Sequence, residues 1–467
     1  MPKYFRRACL AVSIVSLMAC NGDRPSKAVS INKNPFPSTY EAMPSRDVMI
    51  RNATVLLGNG EKLEQADVLM IGGKVDAVGK GLVLPAGAQE LDASGKWVTP
   101  GIIDVHSHLG VYPSPSVESH QDGNEVTSPV TAEVWAEHGV WPQDPGFNRA
   151  RVGGITTLQL LPGSANLIGG RGVTLRNVPA TTMQGMKFPD APYGLKMACG
   201  ENPKRVYGKK GVSPYTRMGN VAGYRAAWAS AWEYKLAWDD YNAGRIKNAP
   251  ERDLQKDTLM GVLNGEILIH NHCYKAEEMA MMIDVAKEFK YHAGTFHHAV
   301  EAYKIADLLA ENQNCAAMWP DWWGFKMEAF DMVQENVAMV DAGKGKDASK
   351  LGCAIVHSDS ASTIQRLNQE AGKILYRSQE AGYDLDEADA IRWITLNAAR
   401  SLGIADKTGS LEMGKNGDVV IWNQNPFSVY AKAEQVFIDG AKVYDREDPA
   451  FQAQSDFLLG QPAGDKQ

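Results

Sequence analysis

Apolar and polar positions change their rhythm twice along this chain. Between residues 48 and 98 the apolar positions come in short β-type runs split by glycine turns. Examples are Ala53-Thr-Val-Leu-Leu57, Asp67-Val-Leu-Met-Ile71 ahead of Gly72-Gly73, and Lys74-Val-Asp-Ala-Val78. Runs of that length closed by Gly-Gly predict strands and a hairpin. The same texture returns at Asp418-Val-Val-Ile-Trp422 and Gln435-Val-Phe-Ile-Asp439, with Gly440 as a turn. Between these ends, apolar runs alternate with amphipathic helices, the pattern of successive parallel βα units. Strands are predicted at 101–108, 154–161, 265–272, 291–298 and 352–359, with helices over 276–289, over 302–311 and from Ser362 onward. Strand four is placed near 193–199 and strand seven near 315–319, while strand three falls at 173–175 or at 181–186.

Eight such units in about 300 residues fit an α/β chain folded as a (β/α)8 barrel with long loops. We assign the barrel to 99–407. The β-rich ends, 46–98 and 408–447, are expected to form one small composite β-sandwich domain, because chain termini often lie close together. The stretch 202–262 is longer than an ordinary βα loop. It carries Trp228, Trp232 and Trp238 near helical spacing, which suits packing on the barrel or, alternatively, a lid over the substrate.

The first 19 residues read as a processing signal. Lys3, Arg6 and Arg7 precede an apolar run over 8–18 that is too short to span a membrane. Leu17-Met18-Ala19-Cys20 resembles a lipobox, which would leave Cys20 as lipid acceptor, residues 20–45 as a tether and the protein anchored in a bacterial cell envelope facing the periplasm. Residues 448–467 read as a loose polar tail. The chain has 467 residues and a formal charge of −7, and no clustered basic face supports nucleic-acid binding. The remaining partners are a small-molecule substrate, the membrane through Cys20 and, as an open question, further copies of the chain. Cys199, Cys273, Cys315 and Cys353 show no Cys-x-x-Cys spacing. Export permits disulfides, but their apolar settings suit buried thiols equally well.

The strongest chemical signal is Gly101-Ile-Ile-Asp-Val-His106-Ser-His108. Residues i and i+2 of a strand share a side, so His106 and His108 bring two imidazoles into one space, a donor pair suited to zinc or a related divalent ion.

Together with the preceding Thr99-Pro100, this segment resembles the strand-one motif of the amidohydrolase superfamily, nearest to its imidazolonepropionase and metal-dependent dipeptidase branch. The resemblance runs from about residue 48 to 443 and includes Gly409-Ser-Leu-Glu-Met-Gly-Lys-Asn-Gly-Asp418 and Asn397-Ala-Ala-Arg-Ser-Leu-Gly403. It implies one or two divalent ions, zinc foremost, held at the ends of strands one, four, five, six and eight. In Ile267-Leu-Ile-His270-Asn-His272 the family ligand matches His270, and His272 points the same way to support the site or touch substrate. In Thr295-Phe-His297-His298 the ligand matches His298; strand alternation points His297 elsewhere, and it is kept as a residue that supports the site or touches substrate. Asp359 in Ala354-Ile-Val-His357-Ser-Asp359 matches the family's proton-transferring aspartate, with His357 as support on the same face. In Leu195-Lys196-Met-Ala-Cys-Gly200, Lys196 matches the lysine that some members carboxylate to bridge two ions; Glu201 is the second candidate.

Beyond the metal ligands, Arg205 and Tyr207 are candidates to hold a substrate carboxylate, and Trp322 with Trp323 to form an apolar wall. The Gly-rich run 163–172 lacks the Lys-Ser/Thr of a phosphate loop and reads as backbone near the active-site mouth. The resemblance implies hydrolysis of a C–N bond outside ordinary protein backbone, in an amide, cyclic amide or dipeptide. Deamination of a heterocycle and a surface binding lipoprotein without catalysis are the alternatives.

Overall fold

The computed structural model describes residues 29–451. The expected signal, Cys20 and the end of the polar tail lie outside the described residues. The chain divides into two compact units, 1–35 and 36–467. In the described part of the first, Asn34 N donates to Asn32 Oδ1 (3.0 Å). The second holds everything that follows. It begins inside the stretch read as tether: Ser38 Oγ donates to Lys187 O (2.6 Å) and Thr39 N to Gln184 O (3.0 Å).

The first strands are β1 (Val48–Leu56), β2 (Lys62–Ile71), β3 (Lys74–Gly79), β4 (Gln89–Asp92) and β5 (Trp97–Pro100). Eight barrel strands follow: β6 (Ile102–Ser107), β7 (Ile155–Leu160), β8 (Ile168–Arg176), β9 (Tyr193–Ala198), β10 (Ile267–His272), β11 (Thr295–His297), β12 (Cys315–Met318) and β13 (Cys353–Val356). The chain ends with β14 (Val419–Trp422), β15 (Ala433–Ile438) and β16 (Ala441–Asp445). Strands from both ends share one sheet, in the order β16-β15-β14-β5-β1-β2-β3, with β4 paired to β1. The join is β5 against β14, where Thr99 faces Val420.

The barrel strands form a nearly closed, TIM-like sheet from β6 to β13 in chain order. Between β13 and β6 the seam is made by single contacts: Asp359 N donates to His106 O (3.0 Å), and Ser358 N donates to the buried Asp104 Oδ1 (3.2 Å).

Strand three departs from the expected parallel order. β8 runs antiparallel to both β7 and β9. Only residues 161–167 separate β7 from β8, too few for the crossover helix that a parallel neighbour requires. Part of the Gly-rich run is therefore strand rather than loop. The glycines permit close approach: a Cβ on Gly172 would lie 2.5 Å from Leu161 Cδ2, and one on Gly170 2.3 Å from Val134 O. A side chain fits neither place.

Inside the insertion, the helix Arg217–Asn242 buries Trp228 and Trp238 and rests Trp232 against the core. These indoles pack; they are not a lid. The four cysteines form two disulfides, Cys199–Cys273 and Cys315–Cys353. The buried-thiol alternative fails because neighbouring parallel strands bring each pair side by side; Cys315 and Cys353 are partners in the β12–β13 register.

Candidate metal centre and pocket

β6 is buried along its whole length and delivers His106, fully buried, with His108 just beyond its end. The two rings lie 5.0 Å apart between centroids. Asp359 reaches them from the loop after β13. Its Oδ1 is 3.1 Å from His108 Nε2 and 3.4 Å from His106 Nε2, and its Oδ2 is 3.9 Å from His298 Nε2. Asp359 and His298 both take left-handed backbone, at φ +50° and +58°. Side-chain-bearing residues rarely hold that conformation unless the surroundings impose it.

His298's unusual φ ends the strand and cancels the expected alternation. His297 is not turned away. Its Nδ1 is 2.9 Å from His106 Nδ1 and its Nε2 2.9 Å from His270 Nδ1. His270 sits behind this pair, with Nε2 3.2 Å from Gln159 Nε2. It is not among the groups that converge on Asp359. His272 lines the cavity instead, with Nε2 3.4 Å from Asn202 Nδ2 and a buried Nδ1 that meets no partner. His357 Nε2 accepts from His298 N (3.3 Å) and lies 2.9 Å from His298 Nδ1, while its Nδ1 is buried without a partner.

Two triads could each hold a cation: His106 with His298 and His357, and His106 with His108 and Asp359. Within each, one donor atom per residue lies within 4.8 Å of the others. The proton pattern fits an ion. His108 Nδ1 lies 2.8 Å from Leu161 O, so it donates there. The lone pair of its Nε2 then faces Asp359, and a divalent cation between the two would answer both. Burial, aided by the positive charge of Lys196, holds His106 well below the ordinary imidazole range; His272, His297 and His298 are held low chiefly by burial as well. Burial lowers His270 to about 3 and His357 to about 4. Neutral imidazole is the form a metal binds.

Lys196 is fully buried and its Nζ is 3.1 Å from His106 Nε2. Burial pulls it down to about 7. Burial would raise Asp359, but the hydrogen bond and charge of His108, with the charge of Lys196, outweigh it and hold the carboxyl below its usual range.

Above these groups opens a cavity of about 470 Å³. His108, Asp359, His272, Glu201, Arg205 and Trp322 line it. Tyr207 does not. Its hydroxyl donates to Ser128 O (2.6 Å) and accepts from Asn166 Nδ2 (2.8 Å), so it fastens a loop and cannot hold a substrate carboxylate. Trp323 points to solvent and meets Phe330, so of the two expected tryptophans Trp322 lines the cavity.

Sequence reasoning missed Asp104, Tyr274, Lys326 and Asn124. Asp104 stood in the quoted motif. Burial raises its carboxyl to about 7, opposed by the hydrogen bonds of Ser358 and His106 N. Tyr274 lies two residues past β10, where loop-facing side chains are expected. Asn124 comes from a long, irregular loop that offered no signal.

A family model described as the amidohydrolase family matches residues 271–443. The crystal structure of an amidohydrolase from Thermotoga maritima MSB8 is 32% identical, with a TM-score of 0.76; the match covers 85% of this chain and all of that one. Amidohydrolase tasK of Hapsidospora irregularis is 30% identical over 438 residues, 86% of this chain. The chain spans only 43% of that relative's length. An imidazolonepropionase of Mesorhizobium japonicum is 24% identical over 370 residues, 72% of this chain and 80% of the other.

Proposed function

The chain belongs to the amidohydrolase family, and we propose that it is a metal-dependent hydrolase of C–N bonds outside ordinary protein backbone. The observation that carries this reading is the convergence of His106, His108 and His298 on Asp359 at the cavity floor. These four residues, joined by His272 or His357, would hold zinc. Bound there, the ion would polarise the scissile carbonyl and acidify the attacking water.

The chain's own residues account for the proton. Asp359, kept ionised, accepts a proton from water as the water oxygen bonds to the carbonyl carbon. The C–N bond then breaks, Asp359 returns the proton to the departing nitrogen, and a carboxylic acid and an amine are released. Lys196, buried beside His106, suits carboxylation by carbon dioxide and hence a second ion. Heterocycle deamination is the competing reading, favoured by a single ion and an unmodified Lys196.

The test is metal counting on protein produced with bicarbonate, followed by chelation and reloading. One or two ions per chain, with activity that follows them, is the expected result. Full metal and full activity in His106→Ala would overturn the reading.

The sheet built from both chain ends supports a composite β-sandwich domain over 46–98 and 408–447. Two disulfides among the described residues support export, because such bonds persist in oxidising compartments. Labelled palmitate should enter the wild type and not Cys20→Ala; labelling of both would remove Cys20 as the anchor.

A further inference from the structure

The cavity lining joins an aromatic column to an unpaired guanidinium, and we infer from them the class of amide it accepts: one that carries both a flat aromatic group and a carboxylate. This substrate class rests on the metallohydrolase reading above.

The column is built from rings. Trp319 is fully buried and stacks on His298, with centroids 4.3 Å apart and planes 21° apart. Its Nε1 donates to Ser358 O (3.2 Å), one residue before Asp359, which locks the ring plane to the catalytic loop. Trp322 continues the column at 4.7 Å and 11°. Phe325 meets Trp322 edge-on at 5.9 Å and remains 54% exposed. Both Trp322 and Phe325 line the cavity. The column therefore ends in partly exposed ring surface that faces the cavity. A flat apolar group would displace water there and gain offset or edge contacts.

Two cations stand beside the column: Lys326, over the rings of Tyr274 and Phe325 at 3.9 and 5.9 Å, and the exposed Arg205. Lys326 lines the cavity but is matched by Glu201 (3.7 Å) and Glu328 (3.4 Å). Arg205 also lines the cavity, and among the described residues it makes neither a hydrogen bond nor an ion pair. Its charge acts on Lys326 as a like charge. The cavity's own carboxylates are engaged, Glu201 with Lys326 and Asp359 with the histidines. An incoming carboxylate would give the guanidinium the paired hydrogen bonds it lacks.

The test is calorimetric binding to metal-loaded protein of three probes, N-benzoylglycine, N-acetylglycine and benzamide, with hydrolysis of the same three followed separately. N-Benzoylglycine should bind at least about tenfold tighter than either other probe. Trp322→Ala should abolish the advantage over N-acetylglycine and Trp322→Phe should retain most of it. Arg205→Gln should abolish the advantage over benzamide. Metal content should stay at the wild-type level in all three variants. Equal binding of the three probes, or an advantage untouched by Trp322→Ala or by Arg205→Gln, overturns the assignment. Selective binding without turnover counts against the hydrolase reading and leaves the pocket assignment standing.

Discussion

Two buried polar clusters share this barrel and are completed differently. At the end of β8, Arg176 is 1% exposed. Its Nη1 bonds Asp418 Oδ2 (2.6 Å), and its Nη2 bonds Asp439. Tyr40 donates to Asp439 (2.5 Å), Thr408 Oγ1 to Asp418 (2.6 Å), and Asp439 N to Asp418 (3.0 Å). Burial works against the guanidinium charge, but the two carboxylates outweigh it and raise its pKa above the usual value. Around His106 the network is incomplete: ring nitrogens of His272 and His357 are buried and meet no partner among the described residues. Isolated buried charge is expensive. A network that answers all its own charges needs nothing further. One that leaves donors unanswered is shaped for something that arrives.

The contrast breaks most visibly at Asp359. Asp359→Asn should cut turnover about a thousandfold or more while metal stays bound, whereas Arg176→Met should leave turnover per folded molecule near the wild-type level. Comparable losses in both would erase the distinction. Stability should show the reverse order. Arg176→Met strands two buried carboxylates and should cost about 3–5 kcal/mol in denaturant unfolding; a loss below 1 kcal/mol would mean the network is dispensable.

Metal should then stabilise one cluster alone. At a free zinc concentration near 100 times Kd, linkage adds about 2.7 kcal/mol, and His298→Ala should lose most of that gain while Arg176→Met keeps it. Equal gains in both variants would place the ion elsewhere.

The smallest effect is on pH. His357 titrates near 6.5 unfolded and about 4 folded. The unfolded chain therefore binds the extra proton first, and stability present above pH 6.5 is lost as pH falls through about 4. The other buried histidines act with the same sign. Asp104, raised to about 7, acts oppositely: its contribution is full below about 4 and is lost as pH rises through 7. Calorimetry of metal-free protein should show a falling midpoint from pH 6.5 to 4. A flat profile would mean that the cluster is already charged.

Much of this was legible in the chain. Strands one, two and four to eight announced themselves because each is an apolar run ending in a turn or helix signal. His106, His108 and Asp359 converge because period-two geometry and strand ends leave little freedom. Strand three was illegible for a physical reason. Its glycines are there to admit Leu161 and Val134, yet in sequence they look like a loop. The orientation of His297 was not legible because alternation holds only while the backbone stays extended, and His298 leaves that region; its place against His106 and His270 suits a supporting role. Tyr207 looked available for substrate since nothing local in sequence shows that Ser128 and Asn166 claim its hydroxyl.

The disulfides carry a consequence for assembly order. Cys199 follows Lys196 by three positions, and Cys273 adjoins His272. While reduced, that pair would offer soft thiolate donors within three residues of Lys196 and His272, and zinc accepts thiolate readily. A chain that met zinc before oxidation could be loaded through the wrong atoms and kept from closing its bridge. Oxidation first would withdraw those competitors and leave the histidines and Asp359 as the donors an ion meets.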